Sequence, residues 1–288
     1  VVKFFLARGA DVNQIRGEGY ESTPLHMAAG SGNKDMIELL LANGADVNVK
    51  IFGETALHHA MMADKKDMVR FLLAKGFKTS AINAAAFLGE LDKVKTLVAE
   101  GADINLKDAG DFTPLHCAVY GHQKQVVAFL IENGADVNAR TAEGRFPLII
   151  ADMEIAELLI TKGANVNLRY RLGTTALHRA VNLDDHKGDI ELAKLLLSHG
   201  ADVNAKAYSN CVGWEGWTPF HVACRNGNKA IVEMLISKGA DINAKTDKGY
   251  TPMSLAEKYG RYTPLSLAEE INGHKQIVEL LRKQGAKE

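Results

Sequence analysis

Five histidines return in step along this chain of 288 residues, each closing a tetrapeptide that opens on threonine: Thr23-Pro24-Leu25-His26, Thr55-Ala56-Leu57-His58, Thr113-Pro114-Leu115-His116, Thr175-Ala176-Leu177-His178 and Thr218-Pro219-Phe220-His221. Imidazole is suited to general acid-base catalysis near neutral pH and is the commonest metal ligand, so such a row raises both kinds of chemistry. The even spacing argues against them. Equivalent places in stacked units lie roughly 10 Å apart, whereas the nitrogen ligands of one zinc ion lie within about 2.0–2.1 Å of it. The adjacent pair His58-His59 would point about 100° apart on a helix and makes a poor chelate. Asn83, Ile149, Ser254 and Ser266 stand where the histidine stands in other copies, so the expected role is local: an imidazole that satisfies loop backbone groups. Asp184, Asp185 and His186 also have ligand chemistry, and read as a solvated polar insertion.

The remaining reactive groups add little. Cys117, Cys211 and Cys224 are an odd number at unrelated spacings, which suits free thiols in a reducing compartment rather than a disulfide framework. A cytoplasmic location is the expectation. There is no Gly-rich phosphate loop, no Gly-x-Ser-x-Gly elbow and no paired Cys or His motif of metal type. Catalytic residues, metal and cofactor are therefore expected to be none.

The elements that must position the histidines repeat with them. Degenerate copies at Ser80, Phe146, Thr251 and Thr263 extend the series, and the commonest step, as from Thr218 to Thr251, is 33 residues. In the unit from Thr23 to Asn48, Pro24 falls in a first helical turn, where its missing N–H costs nothing. Ala28 and Ala29 make a short inner helix narrow enough for close stacking. Gly32 ends it, and a second helix from Met36 to Ala42 buries Met36, Ile37, Leu40 and Leu41 at helical spacing. Gly44-Ala45-Asp46-Val47-Asn48 then turns the chain, with Asp and Asn bonding the turn backbone.

A period near 33 headed by Thr-Pro-Leu-His and closed by Gly-Ala-Asp-Val-Asn marks a helical solenoid, and the chain resembles the ankyrin-repeat family over its whole length. The resemblance implies an all-α solenoid of about nine irregular helix-turn-helix repeats with β-hairpin fingers. It also implies a noncatalytic scaffold that binds a protein or peptide through a concave face of finger tips and inner helices. In that register the residue before each leading Thr faces the groove: Ser22, Glu54, Thr79, Phe112, Arg145, Thr174, Trp217, Tyr250 and Tyr262. Inner-helix positions add Met62, Phe87, Leu88, Tyr120 and Arg225, of which Phe87 and Leu88 could equally seal a missing finger.

Irregularities mark the rest. Only Phe77, Lys78 and Thr79 separate Gly76 from Ser80, so a finger is missing there, and a boundary is expected between sub-arrays 1–76 and 77–288. The copy at Phe146 is short, and its first helix is expected to be stunted. An insertion at 205–217 holds both tryptophans; Trp214 either plugs the enlarged finger or joins an interface, and Trp217 is assigned to the interface. The expected partner-binding set is Phe112, Tyr120, Arg145, Trp214, Trp217, Arg225, Tyr250 and Tyr262, with Trp217→Ala and Tyr250→Ala weakening binding and leaving the melting transition nearly unchanged. A first helix is duplicated at Thr263 without its second, and a closing helix from Gly273 to Gln284 leads to a polar cap. At the other end, Val1 to Leu6 reads as an outer helix lacking its inner partner, the mark of a fragment of a longer array.

Formal net charge is −1, from 34 Lys and Arg against 35 Asp and Glu, so no basic face for nucleic acid is expected. Apolar runs such as Ile37 to Leu41 fall far short of the roughly 20 residues that span a bilayer, so no membrane insertion is expected, and the chain reads as a monomer. Two other classes stay open: a substrate-recruiting or regulatory region of a larger multidomain enzyme or effector, and a target of asparaginyl hydroxylation, since Leu40, Leu130 and Leu196 stand eight residues before Asn48, Asn138 and Asn204.

Overall fold

A computed structural model describes residues 2–15, 21–182, 189–208, 216–259 and 268–286. The described residues form seventeen α-helices and one 3-10 turn. They divide into two compact units, Val1–Lys162 and Gly163–Glu288.

In the first unit an outer helix α1 (Val2–Leu6) precedes five inner-outer pairs: α2 (Pro24–Ser31) with α3 (Lys34–Ala42), α4 (Ala56–Met62) with α5 (Lys66–Ala74), α6 (Ala81–Leu88) with α7 (Leu91–Ala99), α8 (Pro114–Tyr120) with α9 (Lys124–Glu132), and α10 (Pro147–Ile150) with α11 (Met153–Thr161). The second unit holds α12 (Ala176–Ala180) with α13 (Ile190–Ser198), α14 (Pro219–Asn226) with α15 (Lys229–Ser237), and the closing helices α16 (Pro252–Tyr259) and α17 (Ala268–Lys283). The short copy at Phe146 does have a stunted inner helix, four residues long. The C-terminal expectation needs correcting: one helix of 16 residues starts at Ala268 and runs through Gly273 without interruption.

Inner helices start where threonine caps them. Thr23, Thr113 and Thr218 each accept the N–H of the residue three positions on at 3.4 Å, filling one of the donors a helix start leaves unpaired. Small residues then let neighbours close in. Ala28 and Ala29, Ala84, Ala85 and Ala86, Ala118, Ala180 and Ala223 are all buried, and α6 and α8 come near enough that a Cβ on Gly121 would stand 2.1 Å from the Phe87 carbonyl oxygen. Outer helices bury one stripe, such as Met68, Val69 and Leu72 on α5 or Ile231, Val232 and Leu235 on α15.

Among the described residues the fingers form no extended β-ladder. Among the described residues one isolated antiparallel bridge occurs, Ile51 with Glu54, closed by two backbone bonds of 2.9 Å. In three other fingers a side chain takes the return bond. Thr246 N–H donates to the Tyr250 carbonyl, and the Tyr250 N–H returns to Thr246 Oγ1 rather than to a carbonyl. Thr141 with Arg145 and Asp108 with Phe112 do the same. A finger with one backbone bond holds its shape without making a ladder.

Between the outer helices and the fingers, asparagine amides tie one turn to the next. Asn105 donates to the Gly134 carbonyl and accepts the Asp136 N–H, and Asn167 and Asn204 bridge to Gly200 with Asp202 and to Gly239 with Asp241 in the same way.

Candidate functional site

The repeating histidines are the natural candidates for chemistry, and their hydrogen bonds decide what they can do. Thr113, Thr175 and Thr218 each send a backbone N–H to Nδ1 of the histidine three residues on, at 3.3, 3.2 and 3.2 Å. Nδ1 must then be the acceptor, which places the proton on Nε2. From there His116 donates to the Arg145 carbonyl at 3.2 Å, His178 to the Trp217 carbonyl at 3.1 Å and His221 to the Ala244 and Tyr250 carbonyls at 3.1 and 3.3 Å. Both nitrogens are thus consumed inside the fold, in support of the next finger. Among the described residues no group of three His, Cys, Asp or Glu side chains could hold a metal ion.

Burial pushes the pKa of His116, His178 and His221 down from 6.5 to about 4, outweighing their carbonyl partners, which pull the other way. An unfolded imidazole takes up a proton near pH 6.5, a folded one only near 4, so the unfolded chain binds more protons between those values. The stability from these neutral rings is complete above the upper value and is lost as pH falls towards the lower. The melting temperature should hold steady above about pH 7 and drop continuously from there towards pH 4. A melting curve unchanged down to pH 4.5 would show that the rings are not held neutral.

His58 departs from the pattern, because the finger that would supply its carbonyl is missing. Ser80 caps α6 directly, and Phe77 turns inward to be buried. His58 Nδ1 still accepts the Thr55 N–H at 3.0 Å, but Nε2 meets a carboxylate, Asp108 Oδ2, at 2.9 Å. The same oxygen accepts from the Thr79 hydroxyl at 3.2 Å and the Asn83 amide at 3.1 Å, while Oδ1 accepts the Gly110 and Phe112 N–H groups, each at 3.1 Å. Burial works to raise the Asp108 carboxyl, but the His58 contact, Asn83 and the Gly110 N–H together hold it below its usual value. A His-Asp pair invites comparison with the base of a nucleophilic triad. Here the Thr55 amide occupies the nitrogen that would face a nucleophile, and both side chains are buried.

A second contact crosses the same gap. Glu54 pairs with Arg145, 91 positions away, and His59 Nε2 lies 3.8 Å from the other Glu54 oxygen. Burial pushes the Glu54 carboxyl up against the pull of Arg145, and burial again, with His26 and Arg145 nearby, holds His59 down to about 4. With no finger between them, Glu54 reaches Arg145, and His58 reaches Asp108 and Phe112.

The row expected to be exposed is divided. Phe112 is fully buried, with its ring 4.5 Å from His58 and 5.9 Å from Tyr120. Trp217 is 5% exposed; its ring lies 6.1 Å from His221 and 5.9 Å from the Arg225 guanidinium. Both are core residues, which corrects their expected exposure and the expectation that Trp217 can be truncated without thermal cost. The Arg145 guanidinium is committed to Glu54. Tyr120 and Arg225 are half-buried, and Tyr250 is 37% exposed. Trp214 and Tyr262 lie outside the described residues, as do Asp184, Asp185 and His186. Asp108 and Glu54 were missed as partners of distant residues; the signal for them was the absent finger, which leaves His58 short of a carbonyl.

The sequence matches the family model for ankyrin repeats (3 copies) over residues 1–83, 81–170 and 141–207, and that for a single ankyrin repeat over 215–247. Among curated relatives, it is 28% identical over 293 residues to the human transient receptor potential cation channel subfamily A member 1, a match covering 92% of this chain and 24% of the relative. It is 33% identical over 187 residues to palmitoyltransferase AKR1 of Lachancea kluyveri, covering 60% of this chain and 24% of that protein. It is 30% identical over 152 residues to alpha-latrocrustotoxin-Lt1a of Latrodectus tredecimguttatus, covering 52% of this chain and 9% of the toxin. The chain therefore spans a quarter or less of the length of these relatives.

Proposed function

This chain belongs to the ankyrin-repeat family, and on that premise we propose that it is a noncatalytic interaction scaffold that holds a protein or peptide against its fingers and inner helices. The observation that carries this reading is the destination of the histidine nitrogens. The side chains best placed to do chemistry spend both nitrogens on the repeat's own backbone, so what the fold offers outward is surface. Tyr250, Tyr120 and Arg225 supply the aromatic and arginine content that interfaces favour. The buried thiols Cys117 and Cys224, both pushed upward by burial, suit a reducing compartment, and we place the chain in the cytoplasm as a monomer. Among the described residues no helix is long and apolar enough to cross a membrane.

The lengths of the relatives favour a second reading beside the first: a recruiting region within a larger protein, since the match covers 24% of the channel and 24% of the palmitoyltransferase. Both readings need a partner at the same surface. A photo-crosslinking amino acid at position 250 should capture a protein from the native lysate, whereas the same group at exposed Lys194 on outer helix α13 should not. Equal capture from both positions would remove the finger side as the binding face.

A further inference from the structure

The balanced charge of the whole chain conceals a difference between its two units. In the first unit the fully described fingers, 49–54, 106–112 and 139–145, carry four cations and four carboxylates, and two of the cations are paired within the fingers, Arg145 with Glu54 and Lys107 with Asp111 at 3.7 Å. In the second unit the fingers 168–174, 205–217 and 244–250 carry five cations, Arg169, Arg171, Lys206, Lys245 and Lys248, against two carboxylates, Glu215 and Asp247. Four of the five are exposed.

The fifth, Arg169, is built into a clip. It donates to the Gly173 carbonyl at 3.2 Å and the Lys206 carbonyl at 2.7 Å, and its guanidinium lies 5.2 Å from the ring centre of Tyr208. The tyrosine is nevertheless 59% exposed. Gly173 has a φ of +73° and leaves room for the ring, since a Cβ there would stand 2.9 Å from it. Two successive fingers are thereby fastened to each other with an aromatic face exposed, and Tyr250 continues the aromatic row on the next finger.

We propose that the finger edge of the second unit is a docking site for an extended acidic peptide. This rests on the protein-binding reading above and adds the chemistry of the partner. Fingers recur roughly every 10 Å, about the span of three residues of extended chain at 3.3 Å each, so acidic side chains at every third position meet one cationic finger apiece. Tyrosines between them provide flat contact and hydroxyls for the peptide backbone. A nucleic acid fits less well: five cations distributed over separate fingers, in a chain of net charge −1, do not form a continuous track for a phosphate backbone.

The test is fluorescence anisotropy with a labelled peptide repeating Glu-Ser-Ser, against a Lys-Ser-Ser peptide and a thymidine oligonucleotide of equal length. The acidic peptide alone should bind, with affinity falling as salt rises. Lys206→Glu/Lys245→Glu should lower that affinity about tenfold or more, one to two close charge contacts' worth, with an unchanged circular dichroism melt. Lys50→Glu/Lys107→Glu in the first unit should leave it unaltered. Equal loss in the two double variants, binding of the Lys-Ser-Ser peptide, or binding of the oligonucleotide in place of the acidic peptide would overturn the proposal. No acidic-peptide binding alongside position-specific capture from Tyr250 would overturn it too and leave the general scaffold reading standing.

Discussion

Replacing Asp108 by alanine should destabilise the chain by about 3–5 kcal/mol, the usual result of removing one side of a buried charged contact. Five donors would be stranded at once. His58 Nε2–H, the Thr79 hydroxyl, the Asn83 amide and the N–H groups of Gly110 and Phe112 all lose an acceptor together, at a place where the His58 and Asp108 side chains are only 1% and 6% exposed. His58 cannot adapt by moving its proton, because Nδ1 is already receiving the Thr55 N–H. Asp108→Asn keeps one acceptor oxygen but turns an NH2 group towards other donors, so it should fall between wild type and alanine. Urea unfolding followed by circular dichroism measures both. A midpoint for Asp108→Ala within error of the parent would end the view that this carboxylate replaces the missing finger. A double-mutant cycle with His58→Ala should give a coupling of about 1–3 kcal/mol, since the two side chains share one contact.

Trp217→Ala carries the second large effect, a loss of about 3–5 kcal/mol typical of deleting a buried aromatic. Trp217 closes the base of the longest finger: its carbonyl accepts from Ala207 and from His178, at 2.7 and 3.1 Å, while its ring fills the space beside His221. Thermal unfolding should show a clear drop in melting temperature for this variant. Tyr250→Ala, at a much more exposed position, should change stability by only about 0.5 kcal/mol. Equal shifts for the two would mean that burial does not distinguish them. A partner-binding defect in Trp217→Ala would therefore report a damaged finger, whereas the same defect in Tyr250→Ala would report a lost contact.

Much of the fold is legible in the residues because the repeat is built from local rules. Thr, Pro and small residues start and narrow the inner helix, Gly ends it, and spaced Leu, Ile and Val face the outer helix inward. Those rules repeat often enough that the helix pairs, the stunted α10 and the absence of a finger near residue 77 can all be found from spacing. Even the structural role of the histidines follows from their even step. The failures are of another kind. The fingers read as hairpins because their residues suit turns, yet Thr246, Thr141 and Asp108 supply side-chain acceptors that replace half the ladder. Gly273 reads as a helix start and lies inside a helix. Phe112 and Trp217 occupy a register that faces outward in the family pattern, but Phe112 is packed against His58 of another repeat and Trp217 against His221 and Arg225 of its own.

The sequence by itself determined the family, the helical unit, its commonest period and the contact each histidine makes with the threonine three residues before it, since these depend on contacts within about four residues or on their repetition. Only the tertiary structure decided that His58 bonds Asp108, that Glu54 reaches Arg145, and that Arg169 fastens its finger to Lys206 and Tyr208 of the next. The first two outcomes depend on which fingers become neighbours once one is missing. Spacing along a chain records that a finger is absent, but the choice of what fills its place is made by burial and hydrogen bonding among residues 25 to 91 positions apart.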